Sequence, residues 1–117
     1  MFLQLSHQKL YIHNYSINLI VECYAISALF PEKEKFGLTS QLRRAAVSTH
    51  LNLCEGISRK SVKEKYRYLE ISRSSLVEVD AGFDIAFHLN YLQQINLEKI
   101  RELIVKCFQL TTGLMDQ

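Results

Sequence analysis

The sequence has little of what interrupts helices and little of what cross-links loops. Its 117 residues include one proline, four glycines and no tryptophan, which excludes collagen-like and linker-like classes and argues against a turn-rich β-sandwich. Its three cysteines, Cys23, Cys54 and Cys107, are an odd number without a CxxC pair. Such cysteines are typical of reduced thiols and not of a disulfide framework. We therefore expect one helical domain, residues 1–117, in the cytoplasm.

Long apolar runs and an excess of one charge sign are also lacking. The most apolar run, Tyr15 to Phe30, is interrupted by Asn18 and Glu22 and is too short to cross a bilayer. We expect no membrane association. Fourteen basic and twelve acidic residues give a net charge of +2, so the total charge does not by itself imply a nucleic-acid partner.

Apolar periodicity predicts two helices in the first half of the chain. The first ends before Pro31, because proline disfavours helix in the residue that precedes it. A charged connector at 31–37 holds one helical turn, and a second helix runs from Thr39, a candidate N-cap, to Glu55, with Gly56 as its stop. The apolar series of the first helix has heptad-like spacing and comprises Leu10, Ile17, Val21, Tyr24 and Ala28.

Two more helices are predicted in the second half. Ser61 and Glu64 form a capping box that begins the third helix, which ends near Leu89, with Asn90 as a left-handed terminator. Asn96 caps the fourth helix, whose apolar stripe comprises Ile100, Leu103, Cys107, Leu110 and Leu114. The predicted fold class is all-α, an antiparallel up-and-down four-helix bundle with short loops.

The second helix has more apolar surface than a monomeric bundle needs. One stripe comprises Leu38, Leu42, Ala45, Ala46, Thr49 and Leu53, and Val47, Leu51 and Cys54 form a second stripe on the far side. A helix that is apolar on two sides has to be covered on two sides. We therefore predict a homo-oligomer with the second stripe at its interface; a monomer with a slightly apolar surface is the alternative.

Charged residues fall inside the predicted buried face of the third helix. That face comprises Val62, Tyr66, Leu69, Leu76, Val79, Phe83 and Phe87, and Arg73 and Asp80 share it. Because unpaired buried charges are costly, they need partners. We predict a polar network across the second and third helices that fixes register and has no catalytic role: Gln41, Arg44, Ser48, Asn52, Glu55, Arg73 and Asp80.

Motifs for metal binding and catalysis are absent from the sequence. His50 and Cys54 lie four residues apart and could offer two zinc ligands, but no HExxH, Glu-x-x-His or second cysteine cluster joins them. No GxSxG, P-loop or dinucleotide fingerprint is present either. We expect no metal, no cofactor, no catalytic residues and no enzymatic activity.

Basic residues are concentrated in the middle of the chain. The segment from Arg43 to Arg73 contains eight basic residues and three acidic ones. Arg59, Lys60, Lys63 and Arg67 surround the start of the third helix, where cations oppose the helix dipole but favour phosphate. Aromatic residues lie mostly at core spacing, so no stacking platform for bases is expected. Whether these cations bind nucleic acid or form an ordinary solvated face stays open.

The central segment resembles a known family. The run Leu-Thr-Ser-Gln-Leu-Arg-Arg-Ala at 38–45, followed by Asn-x-x-Glu-Gly at 52–56, closely resembles the bacterial four-helix-bundle proteins encoded in intervening sequences of 23S rRNA genes. The sequence departs from the family at 49–50, commonly Ile-Pro, at Cys54, usually Ala, and at Ser74 and Asn90, usually Gly. The resemblance implies a ring, with a pentamer as the associated form. It also implies similarity to the accessory protein of diversity-generating retroelements, which binds a reverse transcriptase and nucleic acid.

Three functions remain open at this point. The first is a homo-oligomeric module that binds RNA or DNA, together with or without a protein partner. The second is a protein–protein scaffold whose basic face meets an acidic partner. The third is an enzyme that uses the polar residues Arg44, Glu55 and Asp80 around a solvent pocket. A basic channel or rim in the assembled ring would favour the first, and the enzyme is the least favoured of the three.

Overall fold

The four predicted helices are present and form a closed bundle. The computed structural model describes residues 2–117, apart from the side chains of His7 and Gln8. Its helices are α1 (His7–Ser27), α2 (Leu38–Ser58), α3 (Val62–His88) and α4 (Glu98–Met115), with a 3-10 turn at Glu32–Glu34. α1 packs on α2, α2 on α3, α3 on α4 and α4 on α1. Short connections between neighbours make them antiparallel, which confirms the all-α four-helix bundle.

Several helix ends follow from local capping. The Ser61 hydroxyl accepts from the backbone N–H of Glu64 at 3.3 Å, which is one half of the predicted capping box. Asn90 adopts a positive φ of 65°, as predicted for the terminator of α3. The Asn96 Oδ1 accepts from the Glu98 N–H at 3.0 Å at the start of α4. These three polar side chains set where α3 and α4 begin and where α3 ends.

The two capping residues predicted for α2, Thr39 and Gly56, are wrong. The helix begins at Leu38, whose N–H is bound by Glu34 Oε1 at 3.2 Å, and Thr39 is buried inside the helix. Gly56 does not stop α2, which continues to Ser58. A Cβ at Gly56 would lie 3.0 Å from the Leu69 side chain, so this glycine permits a close approach of α3 and has no role as a terminator.

The core faces of α2 and α4 are the predicted ones, whereas those of α3 and α1 need correction. On α3, Leu69, Leu76, Val79 and Phe83 are buried, but Val62, Tyr66 and Phe87 are exposed. On α1 the predicted series is exposed, and the buried residues are instead Ile12, Ser16, Leu19, Cys23, Ile26 and Ser27. Because α1 is apolar on nearly every side, its periodicity cannot indicate which face packs. In the part of the chain that the structure describes, no helix is both long and apolar enough to cross a membrane.

Candidate nucleic-acid interface

Four exposed cations lie together at the turn between α2 and α3. We call Arg59, Lys60, Lys63 and Arg67 the basic surface; the structure places all four in solvent. α2 ends at Ser58 and α3 begins at Val62, so the chain reverses within three residues. That tight reversal brings the two cations of the turn next to the two on the first turns of α3.

An aromatic ring that the sequence analysis did not connect with these cations lies beside two of them. The Arg59 guanidinium lies 4.8 Å from the Tyr68 ring centroid and the Arg67 guanidinium 5.7 Å from it. Arg59 Nη2 also donates to the Tyr68 hydroxyl at 3.3 Å. Cation–π contacts of this kind hold guanidinium groups in place while leaving them charged. Tyr68 lies one residue from Arg67 and nine from Arg59, so spacing on one helix could not reveal its contact with both.

The four cations differ in how far carboxylates neutralise them. Arg59 pairs with Glu55 at 2.8 Å and Arg67 with Glu64 at 3.8 Å, in exposed pairs that contribute little to stability. No ion pair within residues 2–117 involves Lys60 or Lys63. These two lysines therefore carry the uncompensated charge of the basic surface.

The predicted ion network between α2 and α3 is wrong for this chain. Arg44, Glu55 and Asp80 are exposed, and Gln41 reaches only the exposed Glu78 carboxylate, at 3.5 Å. Arg73 turns toward α4, where Nη1 donates to Thr112 Oγ1 at 3.2 Å. The reason is the rotation of α3: its serines and small residues face α2, so positions 73 and 80 point to α4 and to solvent.

Neutral hydroxyl contacts occupy the α2–α3 interface instead. The hydroxyls of Ser48 and Ser75 lie 2.8 Å apart, and Asn52 Nδ2 donates to the Ser48 carbonyl at 2.9 Å. The Ser72 hydroxyl donates to the Thr49 carbonyl at 2.6 Å. Of the predicted network, Ser48 and Asn52 are therefore brought together, with uncharged partners. Small side chains let the two helices approach closely, and each buried hydroxyl is paired.

The second stripe of α2 is only partly covered. Leu51 is 56% exposed, and Val47 and Cys54 are half-buried. Arg43, on the same side of α2, donates to the Ser27 hydroxyl at 2.8 Å and to the Tyr24 carbonyl at 3.3 Å, which places this stripe beside α1. Its role as an oligomer interface stays a prediction.

Three residues that the sequence analysis did not connect meet between α1 and α2. The donor atoms of His13, His50 and Cys54 all lie within 4.8 Å of one another. The two imidazole rings meet edge to face with centroids 4.6 Å apart. Burial, reinforced by the neighbouring His13, lowers the pKa of His50 to about 4, which keeps its imidazole neutral at neutral pH. Burial also raises the pKa of the Cys54 thiol.

Comparisons with known proteins agree with this architecture. The chain resembles the crystal structure of a protein of unknown function from the S23 ribosomal protein family of Bacteroides thetaiotaomicron, with a TM-score of 0.83 and 16% identity. The match covers 94% of this chain and 99% of the other, and at this identity it shows a shared fold. No curated protein matches the sequence significantly. The sequence model of the 23S rRNA-intervening sequence proteins matches residues 8–113. The chain therefore belongs to the family of 23S rRNA-intervening sequence proteins.

Proposed function

We propose that this protein is a non-enzymatic, homo-oligomeric module that binds nucleic acid through the basic surface. The observation that carries the proposal is the exposure of Lys60 and Lys63 without a carboxylate partner in the described chain. Two lysines next to the positive end of α3 favour anionic ligands such as phosphate groups. Binding of this kind depends on charge and is largely independent of base sequence.

The two arginines beside Tyr68 support binding of single-stranded nucleic acid as well. An arginine held beside an aromatic ring can contact both a phosphate and the face of a base. The Tyr68 ring is half-buried, so it supports the arginines more than it offers a free stacking surface. Because these arginines can contact both phosphates and bases, we expect binding to single-stranded RNA as well as to duplexes, with little preference among sequences.

Self-association would multiply a modest charge. The exposed side chains of Ile17, Val21 and Tyr24 on α1 and of Leu51 on α2 are apolar surface of the kind that marks protein contacts. Several copies in a ring, with a pentamer as the form that the family resemblance implies, would present several basic surfaces to one polyanion. Each further contact is then intramolecular, so weak sites give tight overall binding.

The enzyme alternative has less support than binding. The cavity beside Asp80 is formed by α3, α4 and the connection between them, and neither Arg44 nor Glu55 lines it. The three residues that a catalytic site was expected to combine therefore do not converge. A scaffold that recognises an acidic protein remains the competing function, since the same lysines would serve it.

Fluorescence anisotropy with labelled single-stranded RNA and duplex DNA tests the proposal. The doubly reversed variant Lys60→Glu/Lys63→Glu should bind at least tenfold more weakly than the wild type at low salt. The matched control Lys33→Glu/Lys35→Glu changes the net charge equally at an exposed connector and should bind as the wild type does. If the wild type binds neither nucleic acid, the proposal is wrong and the scaffold function takes its place. Equal losses in both variants would also refute a localised site.

A further inference from the structure

The cluster of His13, His50 and Cys54 differs from the basic surface in its chemistry, because it offers two imidazoles and a thiol. His13 comes from α1, and His50 and Cys54 are one turn apart on α2. His50 Nε2 lies 3.5 Å from Cys54 Sγ, and all three donor atoms fit within 4.8 Å. Two imidazoles and one thiol are a ligand set that zinc accepts. We propose that these three side chains form a zinc site that joins α1 to α2.

The hydrogen bonds of Ser16 permit the tautomer of His50 that a zinc ligand needs. The Ser16 hydroxyl has one proton and two neighbours, the His13 carbonyl oxygen at 3.0 Å and His50 Nδ1 at 2.6 Å. In the tautomer that zinc requires, the hydroxyl donates to the carbonyl and accepts from the His50 Nδ1–H. His50 Nε2 is then unprotonated, and its lone pair is available to a metal on the side where Cys54 Sγ lies. A ring nitrogen held by such a second contact is the usual arrangement behind a metal-bound histidine.

A second, independent observation concerns one ring nitrogen of His13. Its Nδ1 is shielded from solvent and has no hydrogen-bond partner among the described residues. A buried polar nitrogen without a partner is uncommon and costly. A metal ion bound by Nδ1 of His13 together with the two α2 ligands would give this nitrogen a partner.

Distances and access also fit zinc. Tetrahedral zinc with nitrogen and sulfur at about 2.0–2.3 Å places its ligand atoms about 3.3–3.8 Å apart. His50 Nε2 and Cys54 Sγ already have that separation, and the widest pair has to close by about 1 Å. His13 and Cys54 also line a surface cavity of about 570 Å³ formed with the N-terminal segment, which gives the ion an entry path and room for water as the fourth ligand. Binding releases the Cys54 thiol proton to solvent.

Cobalt absorption spectroscopy on chelator-treated, untagged full-length protein tests the site. The expected result is one Co²⁺ per chain, with a thiolate-to-cobalt charge-transfer band that Zn²⁺ abolishes by displacing the cobalt. Cys54→Ser should remove the band, and His13→Gln should weaken Co²⁺ binding at least tenfold. The control His88→Gln alters an exposed histidine on α3 and should leave the titration unchanged. Circular dichroism verifies that each variant keeps its helices.

A second readout uses only the wild type, so it does not depend on how variants fold. Iodoacetamide should reach Cys54 through the cavity that Cys54 and His13 line and alkylate it in the metal-free protein, while the buried Cys23 and Cys107 stay unmodified. One equivalent of Zn²⁺ should slow Cys54 alkylation at least tenfold. The proposal is overturned if millimolar Co²⁺ produces no charge-transfer band, if Cys54→Ser retains the band, or if Zn²⁺ leaves Cys54 alkylation unchanged. None of these outcomes bears on nucleic-acid binding, which is measured separately.

Discussion

The hydroxyl of Tyr91 donates a 2.7 Å hydrogen bond to Oε2 of Glu34. The other oxygen of this carboxylate accepts from the Leu38 N–H at 3.2 Å and so begins α2. One carboxylate therefore ties the α3–α4 connection to the connector between α1 and α2. The Tyr91 hydroxyl and the Leu38 N–H both hold the pKa of Glu34 below its usual value, and the bond to Glu34 raises the pKa of Tyr91.

This contact predicts a dependence of stability on pH. Because the folded chain holds Glu34 ionised below the unfolded pKa of 4.5, its contribution is complete above that pH and is lost as the pH falls through the lower, folded value. Tyr91 is the reverse case: its contribution is lost as the pH rises above 10.0. Tyr91→Phe should lower Tm at pH 7 and flatten the acid limb of the Tm profile. Tyr66→Phe, at an exposed ring, is the control, and equal profiles for the two variants would contradict this account.

Replacing glycine by alanine should have opposite effects on stability at Gly113 of α4 and at Gly56 of α2. Gly113 has open space where a Cβ would lie, so Gly113→Ala should stabilise by about 0.5–1 kcal/mol through helix propensity. At Gly56 the Cβ would press on Leu69, which is fully buried, and overpacking should cost about 1–3 kcal/mol. Urea denaturation measures both. A stabilising Gly56→Ala would mean that α2 and α3 are less closely packed than described.

Leu76 tests the core of α3. It is 1% exposed, so Leu76→Ala should lower the free energy of unfolding by about 2–5 kcal/mol through lost burial and a cavity. His88 is exposed on the same helix and contacts Asp84, and His88→Ala should change stability by about 0.5 kcal/mol or less. Equal losses in thermal denaturation would show that the register of α3 is wrong.

Oligomerisation has its own test at Leu51. We expect the wild type to be an oligomer at micromolar concentration, and Leu51→Glu to give a folded monomer because the side chain lies outside the core. Val77→Glu places the same charge at an exposed apolar position of α3 and should leave the mass unchanged. Sedimentation velocity decides the matter. A monomeric wild type would refute self-association.

The fold was readable because helix boundaries and amphipathic faces are local properties. Ser61 and Asn90 are capping residues whose role depends on a few neighbours, and the stripes of α2 and α4 have clear polar backs. The sequence could not show which face of α1 is buried. Apolar side chains such as Val21 and Tyr24 lie on its other faces as well, and only packing against the other helices decides which are buried. The start of α2 depends on Glu34, a carboxylate outside the predicted helix.

Only part of the candidate sites was readable for the same reason. The exposed cations at the start of α3 could be predicted, because their charge and their position in the sequence are enough to place them there. The contact of Tyr68 with Arg59 and the approach of His13 to His50 depend on how helices are rotated against one another. Periodicity on one helix places a residue on a face and does not say which residue of another helix it meets.

The salt dependence of RNA binding tests the central claim most directly. Each phosphate contact to single-stranded nucleic acid contributes about −0.7 to the slope of log affinity against log salt concentration. Removing Lys60 and Lys63 together should flatten that slope by about 1.4 per bound chain, while the Lys33→Glu/Lys35→Glu control keeps the wild-type slope. An unchanged slope in Lys60→Glu/Lys63→Glu would contradict the account, because the nucleic acid would then bind elsewhere on the protein.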